Sequence, residues 1–109
     1  MIIYNVTINV DDSIHDQWLI WIKAHIPKVL ATGKFVNARL VKVLVDEELG
    51  GTTYSVQYKA KSRENLEDYY KNHAERLRNE GYGLFADKMV AFRTELEILD
   101  EFSANLNKH

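Results

Sequence analysis

The sequence has no cysteine, a single proline and only five glycines among 109 residues. Without cysteine there is no disulfide framework, no thiolate nucleophile and no thiolate metal site. Low glycine and proline exclude a collagen-like repeat and a low-complexity linker protein. An excess of one charge is also missing. Fourteen Lys and Arg face sixteen Asp and Glu, for a formal net charge of -2, so no global positive field favours a polyanion and no nucleic-acid partner is expected. Nowhere do eighteen apolar residues run together, so no membrane-spanning helix is expected. The opening residues lack a basic segment before an apolar run, and Asn5, Thr7 and Asn9 interrupt the hydrophobics. That is unlike a secretory leader, and a cytoplasmic location is expected. What is present is 46% hydrophobic and 28% charged residues, the makeup of one globular core. A chain of this size buries about two-thirds of its unfolded surface.

The hydrophobic pattern predicts strand, helix, strand, strand, helix, strand. Ile2 to Val10 alternates Ile2, Tyr4, Val6, Ile8 and Val10 against Ile3, Asn5, Thr7 and Asn9, the period of a half-buried strand. Asp11, Asp12 and Ser13 supply a helix start, with Asp16 three residues after Ser13 as in a capping box. The stripe Ile14, Trp18, Trp21 or Ile22, His25 and Val29 marks the first helix, which Pro27 should kink or stop near Ala24 to Ile26. A second strand over Phe35 to Asp46 hairpins through Gly50-Gly51 into a third over Thr52 to Ala60. Ser62 caps a second helix striped by Leu66, Tyr69, Tyr70, His73 and Leu77. Gly81 should end it, leaving Tyr82 to Phe85 as a loop. The last strand, Met89 to Leu99, is expected to turn Val90, Phe92, Thr94, Leu96 and Ile98 inward and Ala91, Arg93, Glu95 and Glu97 outward. This order is the ferredoxin-like βαββαβ arrangement of the α+β class, with two helices on one face of a four-stranded antiparallel sheet ordered fourth, first, third, second. A single domain over 1–102 is expected, followed by a polar tail over 103–109.

The face left bare by the helices would carry Ile3, Asn5, Thr7, Asn9, Ser55 and Gln57, small neutral groups better suited to a covered surface than to open water. The second strand is apolar on both parities, with Phe35, Val41, Val43 and Val45 on one and Val36, Ala38, Leu40 and Leu44 on the other. A second copy of the chain is the economical cover for the surplus row, so a homodimer is expected, with Leu40 and Leu44 as its test positions.

Trp18 to Pro27 (Trp-Leu-Ile-Trp-Ile-Lys-Ala-His-Ile-Pro), Thr32-Gly33-Lys34-Phe35 and Tyr54-Ser55-Val56-Gln57-Tyr58 resemble a small bacterial, Bacteroidetes-type family of domains of unknown function. The resemblance spans nearly the whole chain and implies the fold and a bacterial source, but no catalytic residue. That fold is similar to dimeric α+β barrels, among them small monooxygenases, haem-degrading enzymes and ligand-binding stress proteins, and a fold does not choose among functions. Haem-degrading relatives use an Asn on the first strand and a His on the second helix, parts open here to Asn5 and His73.

Other constellations are sparse. His15, His25, His73 and His109 have no metal-ligand spacing, so no metal site is expected. His25 and His73 lie on the apolar sides of their helices, where an imidazole could meet a pocket, although a core-boundary histidine satisfied by one hydrogen bond is the commoner outcome. Arg93, Glu95 and Glu97 share one strand face, an arrangement typical of ordinary ion pairs. The candidate ligand-binding residues are Asn5, His25, Gln57, His73 and Arg93, with no catalytic residue and no cofactor assigned. The expected function is a homodimeric small-ligand-binding or regulatory module. A small cofactor-poor monooxygenase or haem-binding enzyme of the dimeric α+β barrel type is the alternative, and enzymatic activity is the lesser expectation.

Overall fold

The structure, a computed structural model, describes residues 1–105. Its elements are β1 (Ile2–Val10), a 3-10 turn (Asp12–Ile14), α1 (His15–Leu30), β2 (Phe35–Lys42), β3 (Thr52–Ala60), α2 (Arg63–Tyr69), a π turn (Tyr70–Ala74), α3 (Glu75–Phe85), a second 3-10 turn (Ala86–Lys88) and β4 (Met89–Glu97). The segment from α2 to α3 is one helical run that widens at the π turn. The antiparallel sheet has the order β2-β3-β1-β4, the ferredoxin-like order read from the sequence. The polar tail expected from Ser103 runs on past residue 105, outside the described residues.

β1 and β3 follow their alternation to the residue. Tyr4 pairs with Tyr58, Val6 with Val56 and Ile8 with Tyr54, and all six side chains are buried beneath the helices. Trp18 enters this layer from α1, fully buried, with its indole stacked on Tyr54 at 5.0 Å. Its Nε1 has no hydrogen-bond partner among the described residues, a cost outweighed by so much buried apolar surface.

The helix boundaries differ from expectation in three places. The 3-10 turn is capped by Asp11, whose carboxylate accepts from the Ser13 backbone N–H at 2.9 Å, while Asp16 lies beside the His15 ring instead of closing a capping box. Pro27 does not stop α1, which continues to Leu30. It sits on the exposed side in the last turn, where the loss of one helical hydrogen bond is tolerable, and its carbonyl still accepts from Ala31 N–H at 2.9 Å. Nor does Gly81 end the second helical run. Its backbone is helical, and it is buried so closely against Trp21 that a Cβ there would meet the ring at 2.7 Å. Helix therefore includes Tyr82 to Phe85 and ends at Ala86, whose φ of 47° puts a non-glycine residue in the left-handed region.

β2 and β4 correct the inward and outward assignments. A bulge between Phe35 and Asn37 sets Phe35 opposite Ala60 and Ala38 opposite Tyr58, so Phe35, Ala38 and Leu40 all turn toward the helices despite their mixed parity. Ala38 and Leu40 of the surplus row are thus absorbed internally, while Val36 and Leu44 stay exposed. Leu40 packs against the core, and Leu44 lies beyond the end of the strand. In β4 the parity is inverted. Arg93 stands opposite buried Val6 and Glu95 opposite buried Tyr4, on the helix side, whereas Val90, Phe92 and Leu96 lie on the open face with exposures of 64%, 61% and 47%.

That open face carries a polar ladder through its middle. The Asn5 amide donates to Thr7 at 3.3 Å and to Thr94 at 3.2 Å, Ser55 donates to Asn5, and Arg39 donates to Gln57 at 2.8 Å. Beside it the β4 residues Val90, Phe92 and Leu96 form an apolar margin.

Candidate functional site

A cavity of about 60 Å³ lies between the helices and the inner face of the sheet. β1 contributes Tyr4, β3 contributes Tyr58, β4 contributes Arg93, and α1 contributes Trp21 and His25 at a spacing of four, one helical turn. The second helical run supplies Tyr69 and Ala74, five apart across the π turn, then Arg78 and Tyr82 at successive steps of four. The wide turn lets Tyr69 and Ala74 both face inward, as single π turns at functional sites commonly do.

Arg93 is the centre of charge. Burial works against its guanidinium, but the Tyr82 hydroxyl, and then Tyr4, support the charge strongly enough that its pKa stands above the ordinary arginine value. Its Nε is buried without a partner, and no carboxylate pairs with it among the described residues. Glu95, two residues on, is engaged elsewhere. It accepts from Tyr70 at 2.7 Å and from Arg63 at 2.8 Å, and these hydrogen bonds hold its carboxyl below the usual range. The Arg93, Glu95, Glu97 triplet is therefore not one ion-pair cluster.

The Tyr58 and Tyr69 phenols of the cavity are kept protonated. Burial, followed by the neighbouring Tyr69 and Tyr4, pushes Tyr58 far up, and burial with Tyr4 does the same for Tyr69. His25 is buried and stacked on Trp21 with ring centroids 4.4 Å apart. Burial lowers its pKa; Glu80, whose Oε2 lies 3.8 Å from Nδ1, only partly opposes this. The imidazole is neutral at pH 7, and the Glu80 carboxylate, beyond ordinary hydrogen-bond reach, is the polar group that faces its Nδ1. The chemistry on offer is hydrogen-bond donation from phenols and a guanidinium, with one neutral imidazole at the wall.

Of the five residues singled out in the sequence, the fold brings His25 and Arg93 together at this cavity and separates the others. Asn5 and Gln57 lie on the opposite, open face, within the polar ladder. His73 sits in the π turn, stacked on Tyr69 and 4.0 Å from Asp68, on the rim of a separate shallow surface hollow. With Asn5 across the sheet, Asn5 and His73 do not form one site. Sequence reasoning missed Tyr4, Tyr58, Tyr69, Arg78 and Tyr82. The tyrosines are indistinguishable from core aromatics by pattern, but the Ala74, Arg78, Tyr82 spacing of four would have revealed a basic and aromatic stripe. Among the described residues no group of three or more His, Asp or Glu could hold a metal ion, and no helix is long and apolar enough to cross a membrane.

No curated protein matches the sequence. Among solved structures, the chain is similar to a dimeric ferredoxin-like protein from an uncultured marine organism, with a TM-score of 0.71 at 10% identity over 93% of this chain and 97% of that one. It is also similar to a de novo designed protein with a ferredoxin fold, with a TM-score of 0.52 at 21% identity over 99% and 94% of the two chains. Both likenesses concern the fold. The model of a family described as a domain of unknown function, DUF4286, matches residues 1–99, and the chain belongs to that family.

Proposed function

We propose that the protein is a homodimeric small-ligand-binding module, with its ligand held between the helices and the sheet. The observation that carries the reading is the cavity around Arg93, where the buried guanidinium Nε lacks a partner among the described residues. Buried polar groups in folded proteins are nearly all hydrogen-bonded, and an orphaned guanidinium nitrogen at a cavity points to a missing polar occupant. The dimer is supported by the apolar margin of the open face and by the description of a structurally similar protein as dimeric. A regulatory role would follow if the occupant altered that association. Tyr4, Tyr54 and Tyr58 are buried beneath the helices instead of being offered to bases, which favours a reading without nucleic acid. The bacterial source and cytoplasmic location expected from the sequence belong to the same proposal. Native mass spectrometry of protein recovered from its own source tests both parts. The expected result is a dimer carrying an adduct of small-molecule mass. A dimer without adduct overturns the ligand, and a monomer overturns the assembly.

A further inference from the structure

We infer that the cavity takes a short-chain organic carboxylate, its anionic end on Arg93 and its hydrocarbon tail against the aliphatic wall. The inference rests on the cavity being a ligand site and adds the chemical class of the ligand. Arg78 and Arg93 both line the space, and no Asp or Glu does. Arg93 is partly buried and has no carboxylate partner among the described residues, only the Tyr82 and Tyr4 hydroxyls in support, so an acceptor of opposite charge would supply the missing counter-charge. The unpartnered arginine Nε–H supplies a charge-assisted donor, and Tyr4 and Tyr82, which line the same space, carry the hydroxyls nearest to it.

The aliphatic side of the lining favours an anion with an apolar part. Val6, Ile8, Ile22, Val56 and Met89 contribute only hydrocarbon and thioether surface, where the outer oxygens of inorganic phosphate would find no donors. A molecule with one charged end and a short apolar end satisfies both walls. The volume of about 60 Å³ suits only a few heavy atoms, since a single water needs roughly 10 to 15 Å³ by the same measure.

The test is a titration of the intact, isotopically labelled protein with butyrate and, separately, with butyramide, followed by the NMR signals of the Trp21 indole N–H and the Arg93 Nε–H. The expected result is a saturable shift of both signals with butyrate, and binding of the neutral amide at least about tenfold weaker, the scale of one charge-assisted hydrogen bond. Arg93→Gln should bring butyrate down to the affinity of butyramide, and retention of the butyramide response shows that the variant keeps its cavity. If Arg93→Gln does not fold, the comparison on the unaltered protein still decides. Equal affinity for the two probes overturns the carboxylate assignment and leaves the cavity as a ligand site. No response of the cavity signals to either probe overturns the assignment and the reading beneath it together.

Discussion

At the scale of the residue, His25 shows how burial writes a pH dependence into a fold. The ring is enclosed by Trp21 and the cavity wall, and burial is the largest influence on its pKa, ahead of the attraction of Glu80 and the repulsion of Lys28, whose Nζ lies 3.5 Å from the same carboxylate. Its folded pKa is therefore below the ordinary value of 6.5. Between that lowered value and 6.5 the unfolded chain binds the proton more readily than the folded one, so unfolding free energy rises with pH through this window. The contribution of His25 is complete above about pH 6.5 and is lost as pH falls through the window. Asp11, Asp68 and Glu95 have lowered pKa values for a different reason, hydrogen bonds from Ser13, Lys34 and Tyr70 respectively. Their stabilisation is lost as pH falls from the ordinary carboxylate values down through the lowered ones, a window that lies below that of His25. Thermal melts between about pH 7.5 and about pH 5 should show a falling midpoint. His25→Gln should flatten that fall, and an unchanged slope in the variant would count against a buried neutral imidazole.

At the scale of the element, the second helical run carries two glycines with opposite roles. A Cβ on Gly81 would approach the Trp21 ring to 2.7 Å and the Met89 methyl to 3.0 Å, whereas nothing lies within 4 Å of one on Gly83. Alanine is favoured over glycine in a helix by about 1 kcal/mol, and overpacking a tight contact costs about 1 to 3 kcal/mol. Gly83→Ala should thus stabilise by about 0.5 to 1 kcal/mol, while Gly81→Ala should destabilise by about 1 kcal/mol net. Denaturant titration of the two variants measures the contrast, and stabilisation by both would mean that α1 and α3 are not in close contact at Trp21. The same glycine marks the reach of the sequence. β1 and β3 were legible because each is half-buried, polar on one side and apolar on the other. Gly81 looked like a helix end because a residue type does not reveal whether it serves backbone conformation or close packing. In β4 the alternation was legible but its sense was not: Val90, Phe92 and Leu96 form the apolar row, yet Arg93 and Glu95 take the helix side because Tyr82, Tyr70 and Arg63 wait there. The bulge after Phe35 had no local signal, so the apolar residues on both parities of β2 were read as two buried faces. For the site, His25 and Arg93 stood out as titratable groups, while Tyr4, Tyr58 and Tyr69 merged with the core they also help to build.

At the scale of the whole molecule, the inverted β4 moves the proposed dimer surface from β2 to the opposite edge of the sheet. The open face is about nine residues long at about 3.4 Å each and four strands wide at about 4.8 Å, roughly 590 Å² per copy and about 1,200 Å² for a pair. That is just above the roughly 1,000 Å² a specific association needs, so a dimer of moderate affinity is expected, with the apolar margin contributing much of the stabilisation. Internal hydrogen bonds already serve Asn5, Thr7, Ser55, Thr94 and Gln57, so the polar ladder can be covered with little loss. Phe92 offers the largest apolar side chain of β4 on this face, opposite Thr7. Light scattering at micromolar concentration should return twice the 12.7 kDa monomer mass. Phe92→Glu, which would bury two like charges in a symmetric interface, should return the monomer mass with its helical signal intact. Leu40→Ala serves as the contrast, because Leu40 packs on the helix side: it should lower the melting temperature and leave the dimer mass in place. Should Leu40→Ala dissociate the dimer and Phe92→Glu spare it, the association would run through β2, and the β4 margin would be no more than exposed apolar surface.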